Sequence, residues 1–235
     1  MQPAGFSSIN DLTWIRQAQQ GDDEAFTRLV EVYQKPVYNL CYRMMGEPEA
    51  AEEAAQETFL RVYQNLIRYD GIRPFATWLL SIAAHHCIDR LRRQRFISFS
   101  LDENEGEDAW LPDRTAPDPE EETAKRLDEA HLHALLETLE PVQRSILVLH
   151  YWQGISEAEI AGILHLSAPA VRSRLHRARR VLARLWQVQP EAASVEMKRP
   201  VTTRIFLLAS TQSVAGQSFG TPSALIKKEV KRKLP

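Results

Sequence analysis

The chain has 235 residues, 44% hydrophobic and 26% charged, which is the balance of an ordinary globular protein with one or two domains. Its two cysteines, Cys41 and Cys87, lie far apart without a C-x-x-C motif, so the sequence gives no support for a disulfide framework and fits a reducing cytoplasm. It shows neither a basic-then-apolar signal peptide nor a run near the ~20 apolar residues of a membrane span.

Residues 10–96 carry apolar positions at the three-to-four-residue spacing of amphipathic helices, without strand-like alternation, and predict an all-α unit. Asn10 or Asp11 can cap a first helix that ends near Gln20. Asp22 or Asp23 can cap a second helix, which Pro36 is expected to kink or split. The apolar face of the second helix consists of Phe26, Leu29, Val30, Tyr33, Val37, Leu40 and Cys41.

Two further helices complete this block. One is predicted from Glu49 to Arg68, with an acidic start that suits the helix dipole. Its core-facing positions are predicted to be Ala55, Phe59, Val62, Leu66 and Ile67. The last helix begins after Pro74 and ends near Arg95.

The last helix has features of a surface for single-stranded nucleic acid. Phe75 and Trp78 lie near its start, where aromatic faces could stack on bases at ~1–3 kcal/mol each, although core packing explains both equally well. Near its end, four arginines in six residues repel each other unless an anionic partner is present: Arg90, Arg92, Arg93 and Arg95. His85, His86 and Cys87 point about 100° apart in a helix and therefore cannot share one metal ion.

Residues 97–122 differ sharply in composition. From Asp102 to Glu122, ten acidic residues and one arginine give a net charge of −9, and Pro112, Pro117 and Pro119 oppose helix formation. Such a segment cannot bury a core, so we expect an acidic, flexible linker.

The second helical block, residues 123–187, is predicted to contain four helices. One runs from Glu120 to Glu140, and the next begins at Pro141 and ends at Gly154. Two short helices follow, because Ser156 and Glu159 form a capping box and Ser167 with Pro169 begins another helix.

The fourth helix of this block is predicted to have an apolar stripe and an arginine-rich outer face. Val171, Leu175, Ala178 and Leu182 recur at steps of four, three and four, which leaves Arg172, Ser173, His176, Arg179 and Arg180 pointing outward. A basic second helix after a tight turn is what major-groove docking needs. An ordinary solvated hairpin is the alternative, but solvated faces usually mix arginine with acids, and no acid occurs between Ala168 and Gln189.

Both blocks resemble the bacterial extracytoplasmic-function (ECF) sigma factors. In the second block the matching residues are Ser156, Glu159, Ile160, Ala161, Leu164, Ser167, Val171, Arg172, Ser173, Arg174, Leu175, Arg177, Ala178 and Arg179. In the first block they are 22–26, 56–63, 75–79, 82–83 and 89–93. Pro169, Ala170 and His85 depart from the residues usual in the family, namely Gly, Thr and Asn.

The resemblance implies a non-enzymatic specificity subunit, without a cofactor, that binds core RNA polymerase and promoter DNA, with an anti-sigma protein as a candidate further partner. Residues 10–96 would be region 2, which binds polymerase and reads and opens the −10 element. Residues 97–122 would be a linker threading the polymerase, and residues 123–187 region 4, which reads the −35 element. Residues 1–9 and the basic tail 188–235 are expected to be disordered.

The resemblance also assigns roles to individual residues. For the −35 element they are Ser167, Arg172, Ser173, His176, Arg177, Arg179 and Arg180. For the −10 element they are Arg73, Phe75, Trp78, His85, Arg90, Arg92 and Arg93. For polymerase they are Glu52, Glu53, Gln56, Glu57 and Arg61.

Three other classes of protein fit the sequence less well. A response regulator with a helix-turn-helix would need an α/β receiver domain, and the first half contains no strand pattern. An enzyme would need a convergent nucleophile, metal or phosphate-loop pattern, none of which appears. A helical protein-interaction module leaves the arginine-rich helices unexplained.

Overall fold

The computed structural model describes residues 9–101 and 120–187. These ranges contain eight α-helices and one short 3₁₀-helix, and they contain no strand, which confirms the all-α prediction. In the first unit the helices are α1 (Ile9–Gln19), α2 (Asp23–Met45), α3 (Pro48–Asn65) and α4 (Phe75–Leu101). In the second unit they are α5 (Glu120–Glu137), α6 (Pro141–Tyr151), α7 (Glu157–Ile163) and α8 (Ala168–Gln187).

Helix α2 is the centre of the first unit and packs against α1, α3 and α4. Asp22 caps it by accepting hydrogen bonds from the amides of Glu24 (2.9 Å) and Ala25 (3.1 Å). All seven residues of the predicted apolar face are buried. The predicted split at Pro36 does not occur, because Tyr33 and Val37 on either side are anchored in one core, which outweighs the loss of a single helical hydrogen bond.

Three local predictions in the first unit were wrong. Asp11 is not a cap, since α1 begins at Ile9 and the buried Asp11 carboxylate instead accepts a hydrogen bond from the Tyr33 hydroxyl at 2.9 Å. The helix predicted to Arg68 tightens into a 3₁₀-helix at Leu66–Arg68. The tighter turn keeps Leu66 in the core but leaves Ile67 75% exposed, whereas the α-helical pattern had placed it inside.

The helices extend across both predicted ends of the linker. Helix α4 continues to Leu101 and α5 begins at Glu120, so residues 97–101 and 120–122 are helical rather than part of a tether. The other segments for which disorder was predicted, residues 1–8, 102–119 and 188–235, lie outside the described residues.

The second unit contains the predicted helix-turn-helix. The capping box at the start of α7 is confirmed: the Ser156 hydroxyl accepts from the Glu159 amide, and the Glu159 carboxylate accepts from the Ser156 amide. Ser167 caps α8 by accepting from the Ala170 amide at 3.3 Å. Between the two helices His165 adopts a left-handed φ of 53°, which sharpens the turn.

Cys41 and Cys87 are fully buried free thiols on α2 and α4, with their sulfurs 3.8 Å apart. The hydrogen bond from Cys87, together with burial, raises the pKa of the Cys41 thiol. A protonated, buried thiol reacts slowly, so this pair packs as part of the core of the first unit.

The two units pack against each other and share one continuous hydrophobic core. Helices α2 and α4 of the first unit contact α5, α6 and α7 of the second. At the turn between α2 and α3, Gly46 has a φ of 89°, and a Cβ at this position would lie 2.8 Å from the Glu137 carboxylate. The left-handed φ therefore favours glycine here, and the exposed Glu137 side chain lies against the turn.

Candidate nucleic-acid interface

The outer face of α8 is the clearest candidate for DNA contact. The predicted inward stripe is confirmed, because Val171, Leu175, Ala178 and Leu182 are at most 1% exposed. Because that stripe is anchored in the core, the opposite face of α8 is exposed to solvent. The exposed face carries Arg172, Ser173, His176, Arg177 and Arg180, and Ser167 is exposed at the helix start. Since α8 contains no acidic residue, its exposed face is strongly cationic.

Arg172 lies near the start of α8, with 71% of its side chain exposed. Its Nε donates a hydrogen bond to Oε2 of Glu157 on α7, at 3.1 Å. One carboxylate from the first helix of the helix-turn-helix thus holds an arginine on the second.

Arg179 does not point outward as predicted. Its guanidinium lies 5.8 Å from the centre of the Tyr151 ring, and its Nε is buried without a hydrogen-bond partner. The reason is that Arg179 directly follows Ala178 of the buried stripe and leans toward α6, where a cation–π contact is available. Arg179 therefore belongs to the packing between α8 and α6.

The aromatic residues at the start of α4 divide into core and surface. Phe75 is 1% exposed and packs edge-on against Tyr33 (5.3 Å) and Tyr69 (5.4 Å), so its prediction as a DNA contact was wrong. Trp78 is half-buried, and its ring lies 5.1 Å from Tyr69. Only Trp78 of the two retains a surface on which a base could stack.

Two of the predicted −10 residues contact the second unit. The exposed Arg73 donates from Nη1 to the carbonyl oxygen of Gly162 in α7, at 3.3 Å. The half-buried His85 ring lies 5.8 Å from the ring of His165, in the turn of the helix-turn-helix. The helix-turn-helix unit therefore sits over part of the surface that the sequence assigns to the −10 element.

The remaining cationic residues of α4 lie along its exposed C-terminal part. Arg90 pairs with Glu53 of α3 at 2.7 Å, while Arg92 and Arg93 are exposed. Arg95 donates to the carbonyl oxygens of Glu137 (3.2 Å) and Leu139 (2.8 Å) in the second unit.

The predicted polymerase-binding residues form a polar face on α3. Glu52, Glu53 and Gln56 are exposed, and Glu57 accepts from Arg61 at 2.9 Å across one helical turn. Exposed ion pairs of this kind contribute little to stability, so little free energy is lost when another protein replaces one of the paired residues.

A buried cationic cluster between the units was not predicted from the sequence. Arg43 of α2 is 2% exposed, with Nη1 at 3.3 Å from Nε2 of His133 and Nη2 at 3.4 Å from Oε1 of Glu129. Arg144 of α6 is 3% exposed and donates from Nε to the carbonyl oxygen of Arg43 at 2.8 Å. One feature of the sequence could have indicated this cluster, namely an arginine inside the otherwise apolar run from Leu40 to Met45.

Burial dominates the electrostatics of this cluster. Desolvation, reinforced by the charges of Arg43 and Arg144, lowers the pKa of His133 to about 3, so its imidazole is neutral at physiological pH. Desolvation also lowers the pKa of Arg144 to about 10. Among the described residues, Nη2 of Arg144 and Nε1 of Trp152 make no hydrogen bond, and Nη2 of Arg43 has only its 3.4 Å ion pair with Glu129.

Within residues 9–101 and 120–187, no group of three or more histidine, cysteine or acidic side chains could hold a metal ion. Among the helices of the same ranges, none is long and apolar enough to cross a membrane.

Two family models match the chain in the order of its two units. The Sigma-70 region 2 model matches residues 29–97, and the Sigma-70 region 4 model matches residues 130–182. The first match contains α3 and most of α2 and α4, and the second contains the helix-turn-helix.

Individual relatives match across both units. The ECF RNA polymerase sigma factor SigW of Bacillus subtilis is 33% identical over 175 residues, which cover 72% of this chain and 92% of SigW. BldN of Streptomyces coelicolor, also an ECF RNA polymerase sigma factor, is 34% identical over 77% of this chain and 68% of its own. The fold is similar to that of the sigma factor RpoE of Bartonella quintana, solved with the anti-sigma factor NepR, at 18% identity, a TM-score of 0.53, and coverage of 70% of this chain and 98% of RpoE.

Proposed function

The chain belongs to the ECF RNA polymerase sigma factors, and from this membership we propose which of its residues recognise a promoter and how its two units reach it. As a member of that family it is a promoter-recognising transcription initiation factor. The observation that carries the residue assignments is the acid-free face of α8, which a fully buried stripe turns outward.

We propose that α8 enters the major groove at the −35 element. Arg172, Ser173 and His176, near its N-terminal half, would face base edges, as recognition helices of this type do. Ser167, Arg177 and Arg180 would contact the DNA backbone, which positions the helix without selecting sequence. Arg179 is left out of this set because it packs on Tyr151.

We propose that the first unit, residues 10–96, reads the −10 element. Trp78 would stack on an unpaired base, while Arg73, Arg90, Arg92 and Arg93 would hold the strand, with His85 beside them. The polar face of α3, built by Glu52, Glu53, Gln56, Glu57 and Arg61, would dock on core polymerase. The chain would contribute no catalysis of its own and would act in the cytoplasm, where polymerase works.

Promoter geometry requires the two units to separate. The −10 and −35 elements are ~25 base pairs apart, which is about 85 Å of B-DNA at ~3.4 Å per base pair. In the structure Arg73 and Gly162 are in hydrogen-bond contact, so one closed molecule cannot reach both elements. The acidic linker, residues 97–122 by composition, would allow the separation. An anti-sigma protein, the kind of partner seen with RpoE of Bartonella quintana, would act on this equilibrium.

Run-off transcription with core polymerase tests these assignments when Arg180→Ala is compared with Arg179→Ala. The variants remove the same charge from adjacent positions, but only Arg180 is exposed. We expect Arg180→Ala to lower promoter affinity about fivefold and to reduce the dependence on salt by about one charge, because one phosphate contact is lost. Arg179→Ala should leave the salt dependence unchanged. Equal salt dependence in both variants would contradict the proposed face.

A further inference from the structure

The contact between Glu157 and Arg172 crosses from the first helix of the helix-turn-helix to the second. Glu157 occupies the first position of α7, where the capping box of Ser156 and Glu159 fixes the backbone. Its side chain is 28% exposed, whereas that of Arg172 is 71% exposed. The carboxylate is therefore the better-ordered partner, and the arginine is the one that projects toward solvent.

The bond uses a particular nitrogen of the guanidinium. Oε2 of Glu157 accepts from Nε of Arg172 at 3.1 Å, on the inner edge of the planar group. A hydrogen bond at Nε restricts how the rigid, planar guanidinium can turn and leaves its two terminal nitrogens available to donate to another group. Two parallel donors are what the major-groove edge of guanine accepts, through O6 and N7.

We propose that Glu157 is a positioning residue that orients Arg172 to read a guanine in the −35 element. The proposal rests on the proposed function, because it assumes that α8 lies in the major groove. It extends that function by naming the base and by assigning a role to an acidic residue that does not itself contact DNA.

Charge repulsion alone and positioning of Arg172 predict different effects when the charge of Glu157 is removed. A carboxylate beside DNA repels phosphates, so removing the Glu157 charge should tighten binding to any sequence. Positioning predicts that the same change weakens the preference for one base pair, because a neutral glutamine amide holds the guanidinium less strongly than a carboxylate and Arg172 then samples more orientations. An incidental surface ion pair would produce the first effect without the second.

The experiment uses holoenzyme reconstituted from the full chain and core polymerase. Promoter fragments carry each of the four base pairs in turn at every −35 position, and competition binding gives the relative affinities. The variants are Glu157→Gln, Arg172→Ala and the double variant. Glu140→Gln is the matched control, since Glu140 is an exposed residue of the same unit that makes no side-chain cap contact.

We expect Arg172→Ala to abolish the preference for guanine at one position. Glu157→Gln should reduce the same preference about tenfold while the affinity for the other three base pairs is unchanged or higher. In the Arg172→Ala background, Glu157→Gln should change no base preference. Glu140→Gln should leave every preference as in the wild type.

Two other outcomes separate this inference from the proposed function. If Arg172→Ala alters no −35 preference, the proposed reading face is wrong. If Arg172→Ala removes a guanine preference that Glu157→Gln leaves intact, the reading face stands and the positioning role of Glu157 is overturned. A loss of preference from Glu157→Gln that persists without Arg172 would also overturn it.

Discussion

Arginine has opposite surroundings in two regions of this molecule. On α8 it lies on an open face, and 71% of the Arg172 side chain is exposed. Between the two units, Arg43 and Arg144 are 2% and 3% exposed and contact backbone carbonyl, histidine and carboxylate groups. The open arginines are available to phosphates and bases, whereas the buried arginines hold one half of the protein against the other.

The buried region is well packed but incompletely hydrogen-bonded. A buried donor without a hydrogen bond costs ~1–3 kcal/mol, and within the described residues Nη2 of Arg144 and Nε1 of Trp152 make none. Separation of the units would return these donors to water and offset part of the apolar area that is exposed. A contact of this kind would hold the free chain closed and would be consistent with the proposed opening on a promoter.

The largest expected effect comes from Arg43→Ala. Removing this guanidinium takes away one contact of His133 and one of Glu129 and empties buried volume, so we expect the free energy of unfolding to fall by about 3 kcal/mol. The exposed counterpart Arg180→Ala should change it by less than about 0.5 kcal/mol. Chemical denaturation followed by tryptophan fluorescence measures both. Similar values for the two variants would remove the distinction between buried and open arginines.

A comparison of Gly46 with Gly21 tests how closely the two units approach at the turn between α2 and α3. Gly46 and Gly21 have φ values of 89° and 92°, so alanine strains the backbone equally at both, by ~1–2 kcal/mol. Only at Gly46 does the added Cβ meet Glu137, at 2.8 Å, and at Gly21 nothing lies within 4 Å. Because Glu137 is exposed and its carboxylate can turn aside, we expect Gly46→Ala to destabilise the chain by at most about 0.5 kcal/mol more than Gly21→Ala in thermal or chemical unfolding. An extra loss of about 2 kcal/mol at Gly46 would show that Glu137 cannot move away from this turn.

The pH dependence of stability tests the burial of His133. Its pKa is about 3 in the folded chain and near 6.5 when unfolded, so the unfolded state binds the proton more tightly. The associated stability is fully present above pH 6.5 and is lost as the pH falls toward 3, at up to about 1.4 kcal/mol per pH unit. Between pH 6.5 and 5, the wild type should lose stability more steeply than His133→Gln. Parallel curves would place His133 in solvent.

The sequence predicts local structure well where capping and periodicity agree. Ser156 with Glu159 and the stripe from Val171 to Leu182 specify the helix-turn-helix without tertiary information. Predictions failed where the tertiary core decides, as with the split predicted at Pro36, where packing on both sides keeps one continuous helix. From the sequence, Phe75 fitted a core position and a surface position equally well, and only its burial against three aromatic rings, those of Tyr33, Tyr69 and Trp78, shows that it lies in the core.

Contacts between the units could not be predicted in this way. Arg43 and His133 are 90 residues apart in the chain, and neither belongs to a recognisable motif. Their pairing depends on how two complete helical units dock, which periodicity within a helix does not encode. For the same reason the sequence did not predict the contact of Arg73 with Gly162.

Energy transfer between fluorophores on the two units tests most directly whether the closed chain opens to bind a promoter. Labels on Gln20→Cys and Ala134→Cys occupy exposed positions, and the native cysteines are fully buried. We expect efficient transfer in the free chain and its loss in the complex with core polymerase and promoter DNA, where the two elements lie about 85 Å apart. Transfer that stays efficient in a transcriptionally active complex would contradict this opening.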